Sequence, residues 1–376
     1  MTPSVLLLLL SMLSSDVVVL RGGDPSVRGS VSRVDDDGVR IGVEGEPAVV
    51  IPWDRISGVN LSEERIPRLE EHLSRGVDLW RARTRLERGD FALAEPIFEV
   101  QFPGTLGRTS ETALVVAEGL LRCRLHRGEL AAALLPALEV ARLRRKGIET
   151  RSYADLLPPA VRSDSPELIQ MLDVESGLVP YIPPAWLSGP DLAARLSAIE
   201  SWDSGGDDTL SLLAELYAMS IRQSMGESID PVELAEPRIA DYFGGLLLAA
   251  MINSLHDDVD VRKSARSVLE TSLSGSPPWV EGWIRFQLGR SLLMEPAMGQ
   301  QRRGLLSLAH LPARWGRSQP YLSGVAMAMM ADQFRAHGRP EDAKRLRSDL
   351  RRMHPAHPVL RRGVEARLSF PEEETQ

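Results

Sequence analysis

Hydrophobic residues alternate with polar ones from residue 16 to about residue 60, then recur at helical spacing almost to the end of the chain. Val17-Val18-Val19-Leu20 is a short apolar run closed by the turn-forming Arg21-Gly22-Gly23-Asp24-Pro25. Val27, Gly29, Val31 and Arg33-Val34 follow, with Arg28, Ser30 and Ser32 on the alternate positions. Asp35-Asp36-Asp37-Gly38 reads as a hairpin turn, because Asp-Gly tolerates the positive φ that such turns need. Val39, Ile41 and Val43 alternate again, residues 48–51 give a fourth strand, and Pro52-Trp53-Asp54-Arg55 turns the chain into a fifth at residues 56–59. The pattern predicts a small β module over residues 16–60, closed or half-closed into a barrel.

From Ser62-Glu63-Glu64, a hydroxyl cap followed by acids that complement the helix dipole, the period changes. Leu79, Ala82 and Leu86 precede Gly89-Asp90-Phe91-Ala92-Leu93-Ala94-Glu95-Pro96-Ile97-Phe98, in which glycine permits a tight turn, Phe91 and Phe98 supply core bulk and Ala94 lets two helices approach. Gly128-Glu129-Leu130 with Ala133, Ala137 and Val140 repeats the spacing, although Leu121 stands where a small first-helix residue is expected. Gly338-Arg339-Pro340 with Ala343, Leu350 and Pro355 repeats it again, behind Ala331 and Phe334, and Leu288-Gly289 with Leu292 is a weaker copy. The G-x-F-x-x-A-x-x-x-F spacing resembles the inter-helix turn and second helix of a tetratricopeptide repeat, with Pro355 where the repeat-ending proline of that family falls. Gly89 and Gly128 lie 39 residues apart, longer than the usual unit, so the array is expected to be irregular. The five strands ahead of it resemble SH3-like or Sm-like barrels. The expected fold class is mainly α: an irregular superhelix of helical hairpins behind a small β-barrel-like domain.

Prolines break the helical pattern between residues 151 and 190, where Leu157-Pro158-Pro159, Pro180, Pro183-Pro184 and Gly189-Pro190 predict a crossing segment or a linker, with one short capped helix after Ser165. Helices are predicted to resume at Asp191 and Asp207, and Asp230-Pro231 with Glu233 reads as a further helix start. Residues 243–255 are apolar almost all round and predict a central core helix. The domain layout that follows is a leader at 1–15, the β module at 16–60, a first helical block at 61–150, the crossing at 151–190 and a second block at 191–376. The run Val5-Leu6-Leu7-Leu8-Leu9-Leu10, extended by Met12 and Leu13, is too short to span a bilayer and suits the apolar region of a secretory signal. It predicts export to the periplasm or cell envelope of a bacterium; a buried first element and a cytoplasmic protein is the other reading.

The net charge of −8 argues against nucleic acid as a partner, and a single cysteine, Cys123, excludes an internal disulfide framework. Arginine outnumbers lysine by 41 to 3. Residues 301–376 carry fourteen basic and eight acidic side chains, with Arg345, Arg347, Arg351, Arg352, Arg361, Arg362 and Arg367 dominating the end; a solvated helix face or an anionic contact would use them. The chain has no G-x-S-x-G, Walker loop, G-x-G-x-x-G or H-E-x-x-H. Cys123 sits mid-helix and reads as a buried structural thiol, the three consecutive aspartates lack the alternate spacing of a calcium loop, and His354-Pro355-Ala356-His357 is broken by proline. His256-Asp257-Asp258 with Asp260 reads as helix capping, and as the only foothold for a hydrolase-type enzyme. No catalytic, metal or cofactor residue is assigned. The expected function is a non-catalytic interaction or scaffold protein that holds a protein or peptide partner on a helical-repeat groove, as the tetratricopeptide resemblance implies; an envelope structural protein without a specific client is a further reading.

Overall fold

The structure is a computed structural model that describes residues 15–43, 45–61, 68–149, 172–173, 175–184, 191–274 and 276–360. The apolar run at residues 5–13, the Ser62 cap, the helix expected after Ser165, and Arg361, Arg362 and Arg367 lie outside the described residues. The protein is mainly α, with a small N-terminal antiparallel sheet followed by a helical array. Its described residues divide into two compact units, 15–123 with 143–149 in the first and 124–142 with those from 172 to 360 in the second.

In the first unit five strands form one antiparallel sheet: β1 (Asp16–Leu20), β2 (Val27–Asp35), β3 (Gly38–Gly42), β4 (Val49–Ile51) and β5 (Ile56–Asn60), in the order β4-β3-β2-β1-β5. The last strand returns to pair with the first, Val17 opposite Asn60, and the register slips between Val19 and Leu20. The sheet keeps two edges, because β4 and β5 are its opposite ends, so of the closed and half-closed forms expected from the sequence the closed one is excluded. The hairpin between β2 and β3 pairs Asp35 with Gly38, so its two loop residues are Asp36 and Asp37. The Asp35 carboxylate accepts the Asp37 N–H at 2.9 Å and holds that turn locally.

Alternation sends Val18, Val39, Ile41, Ile51 and Ile56 to the interior, and Trp53 is fully buried in the same unit. The Trp53 indole N–H donates to the Asp35 carbonyl at 2.7 Å, and its ring stacks on His72 at 5.0 Å. His72 belongs to α1 (Leu69–Glu87), which packs against the turn carrying Trp53 and against β5, while α2 (Phe91–Thr105) packs on α1 as a helical hairpin. From α3 (Glu111–Arg127), Thr112 donates its hydroxyl to the Asp37 carbonyl at 2.8 Å. The aspartate turn is thereby built into the helical packing.

The second unit begins with the end of α3 and most of α4 (Leu130–Arg145), and continues through α5 (Leu192–Glu200), α6 (Asp208–Ser224), the single turn α7 (Pro237–Ala240), α8 (Phe243–Asn253), α9 (Val259–Ser272), α10 (Pro278–Leu293), α11 (Met298–Trp315), α12 (Pro320–Ala336) and α13 (Pro340–Met353). From α5 onward each helix packs on its successor, α6 reaching α8 across the short α7. Asp207 caps α6 by accepting the Leu210 N–H at 3.0 Å, and Asp258 caps α9 through the Asp260 and Val261 N–H groups. The α8 helix is the buried core element that its composition predicts, with Leu247 to Met251 almost fully enclosed. Between α10 and α11 the backbones cross closely: a Cβ added at Gly304 would lie 2.8 Å from the Gly289 carbonyl oxygen.

One local expectation fails, and one of the two readings of the proline-rich segment is set aside, for reasons visible in the packing. Asp230-Pro231 opens no helix, because the Asn253 side chain takes both backbone groups of Val232, accepting its N–H at 2.9 Å and donating to its carbonyl at 2.8 Å. That clamp holds the segment in a non-helical form until Pro237. The proline-punctuated segment is no free linker where it is described. Its carbonyls at Pro180, Ile182 and Pro184, which pair in no ladder or helix, accept hydrogen bonds from Trp283, Tyr217 and Ser220 at 3.0, 2.9 and 2.6 Å.

Candidate functional site

The residues that define the repeat-like windows occupy turns and inward faces. Gly89, Gly128 and Gly338 adopt left-handed φ of 84°, 71° and 70°, each in the turn between two helices, where a side chain would be strained. Phe91, Ala94 and Phe98 are buried on α2, Ala133 is buried on α4, and Ala343 is buried on α13. Pro355 stands in the exposed turn after α13. The small residue missing at Leu121 is supplied two positions earlier: a Cβ at Gly119 would come within 2.4 Å of the Phe98 ring, while Leu121 fills core.

What the windows did not reveal is the other side of α2. Its inner face carries Phe91, Ala94, Phe98 and Phe102, as an amphipathic helix requires. Its outer face carries Leu93, Pro96, Val100 and Pro103, all exposed, with Leu93 at 57% and Val100 at 77%. These four positions follow the three–four–three spacing of a helix-pairing seam. The prolines also remove the N–H donors that the Ala92 and Glu99 carbonyls would otherwise receive within the helix. The visible signal in the sequence is the seven-residue repeat of Leu93 with Val100 and of Pro96 with Pro103, which the count of inward positions passes over.

The polar clusters read as structural or as divided. Asp36 is ringed by Arg75 at 3.4 Å, by His72 at 3.7 Å and by Arg108, so the aspartate turn is neutralised by side chains from the helical part of its own unit. Of the four residues around His256, Asp258 and Asp260 sit at the start of α9, Asp258 as its cap and Asp260 in an exposed pair with Lys263 at 3.1 Å. Hydrogen bonds from the Asp260 and Val261 N–H groups hold the Asp258 carboxyl below its ordinary range. His256 and Asp257 instead line a cavity together with Glu227 and Arg290. His357 is buried, its Nε2 2.9 Å from the Tyr321 carbonyl while Nδ1 accepts the Val359 N–H at 3.1 Å. Both nitrogens are thereby used in closing the end of the array. His354 lies beside it, 3.4 Å from the Ser323 hydroxyl, and burial pushes its pKa down. Cys123 is fully buried in α3.

Among the described residues no group of three or more His, Cys, Asp and Glu side chains is placed to hold a metal ion, and no helix is long and apolar enough to cross a membrane. No protein-family model, no curated protein and no solved structure matches this chain.

Proposed function

We propose that this chain is a non-catalytic interaction protein of the bacterial cell envelope, a divergent tetratricopeptide-like array that holds a protein partner on its helices. The observation that carries this reading is the outer face of α2, where Leu93, Pro96, Val100 and Pro103 present an apolar stripe to solvent on a helix whose opposite face already fills the core. Scattered apolar residues on a surface need no explanation, but a seam at helix-pairing spacing is the form in which one helix offers itself to another. The succession of helices, each packed on the next, supports the repeat-like character, as do the left-handed glycines at three of the turns. Export rests on the apolar run at residues 5–13. The acidic net charge supports a protein partner over a nucleic acid.

The test is affinity capture from envelope extracts with the full-length protein and with a Leu93→Glu/Val100→Glu double variant. Both substitutions fall on exposed positions, so the fold is expected to survive, and circular dichroism checks that. One protein recovered reproducibly with the wild type and lost with the variant supports the reading. Equal recovery with both, or turnover of a small molecule with no partner bound, overturns it.

A further inference from the structure

The loops that follow α6 and α8 and the C-terminal end of α10 line a half-open cavity of about 270 Å³ within the second unit. Its lining is unusual in combining both charges with an apolar wall: Arg290, His256, Glu227, Asp257, Ile229 and Met294 all face it. Arg290 and Met294 lie four residues apart and therefore on one face of α10. The loop carrying His256 and Asp257 is held rigidly, because Arg262 donates to both of their carbonyls, at 2.8 and 2.7 Å, while its Nε reaches Glu295 at 3.1 Å. The Asp258 N–H donates to His256 Nδ1 at 2.9 Å, so in the neutral imidazole the proton resides on Nε2 and that nitrogen is a donor. Two donors of the cavity, the guanidinium and the imidazole N–H, thus suit an anionic group, and two carboxylates at the exposed rim suit a cationic one. Burial pushes the Arg290 pKa down to about 10, which leaves it charged at neutral pH, so a carboxylate entering the cavity meets a guanidinium cation.

We propose that this cavity binds a free α-amino acid with an apolar side chain. Its carboxylate meets Arg290 and His256, its ammonium meets Glu227 and Asp257, and its side chain packs on Ile229 and Met294. The volume is near the lower bound of about 300 Å³ for ligand pockets, which fits a small solute and not a peptide. Binding here is independent of the contact proposed for α2, since no residue is shared.

Isothermal titration of the full-length protein decides it, with L-leucine, L-leucinamide and 4-methylpentanoate as probes. Leucine is expected to bind, and leucinamide, which lacks the carboxylate, to bind at least about tenfold more weakly, as loss of a charge-assisted hydrogen bond requires. Arg290→Gln should remove leucine binding. Glu227→Gln with Asp257→Asn, both at exposed positions, should weaken leucine about tenfold and leave 4-methylpentanoate unchanged, which keeps the test decisive if the Arg290 variant fails to fold. No binding of leucine at millimolar concentration, binding that survives Arg290→Gln in a folded protein, or equal affinity for leucine and 4-methylpentanoate in the wild type would each overturn the proposal.

Discussion

Gly304→Ala tests how tightly the helical array is packed. An alanine in a helix interior is favoured over glycine by about 1 kcal/mol, so on local grounds the substitution should stabilise α11. At this position the new methyl would sit 2.8 Å from the Gly289 carbonyl oxygen, 3.1 Å from Leu292 Cβ and 3.2 Å from the Leu293 nitrogen. Two of those atoms are backbone of α10, which cannot swing aside as a side-chain tip can. Overpacking costs about 1–3 kcal/mol, and with backbone as the obstacle the upper part of that range, about 2–3 kcal/mol, applies, so the net effect is a loss of about 1–2 kcal/mol. Gly299, also in α11, has open space where a Cβ would go, so Gly299→Ala should be neutral or stabilising by up to about 1 kcal/mol. Native-state hydrogen exchange of the α10 and α11 amides reads the local opening energy directly, which matters for a chain of two compact units that need not unfold in one step. Exchange in these helices should quicken about 5- to 30-fold in Gly304→Ala and not in Gly299→Ala. Protection unchanged or increased in Gly304→Ala would refute the close crossing.

Glu295 accepts from Arg262 and Arg266 at 3.1 and 2.8 Å; burial raises its pKa, but the two guanidinium groups outweigh that and hold it below the ordinary carboxylate value. A depressed carboxylate stabilises the fold above its unfolded pKa, and that contribution fades as pH falls through the folded value. Glu295→Gln should therefore cost about 3–5 kcal/mol at pH 7, with the gap from wild type closing toward pH 3, as followed by urea unfolding at each pH. A gap independent of pH would show that the pair contributes nothing through charge. Asn253→Ala removes both bonds to Val232 and should cost about 1–3 kcal/mol, with limited proteolysis moving into residues 226–236; unchanged resistance would refute the clamp.

Much of the fold is written locally. The five strands follow from period-two alternation, and the turns at Gly89, Gly128 and Gly338 from glycines whose backbone angles no other residue adopts cheaply. What escaped is decided by partners distant in the chain. Asp230-Pro231 carries a sound helix-start signal, yet Asn253, 23 residues later, takes the hydrogen bonds that a first turn would need. Leu121 breaks the repeat spacing only on paper, since Gly119 makes the close contact with Phe98. The aspartate turn falls at Asp35 to Gly38 as the sequence places it, but its anchoring by Thr112, His72, Arg75 and Arg108 from the helical side is decided by tertiary packing. The site is less legible than the fold. The His256 cluster divides into caps and cavity lining, and its cationic counterpart, Arg290, lies 34 residues downstream on a helix that only tertiary packing brings near. The outer stripe of α2 was present in the sequence as a seven-residue repeat, but hydrophobic periodicity alone assigns apolar residues to the inside.

The central claim is that the outer face of α2 meets a partner. Site-specific photo-crosslinking in the native cell tests it most directly, with a photoreactive residue placed in turn at positions 93, 96 and 100, and at the exposed position 345 on α13 as a control. The account predicts one discrete adduct of the same mass from positions 93, 96 and 100, and none from 345. No adduct from α2, or the same adducts from all four positions, would contradict it.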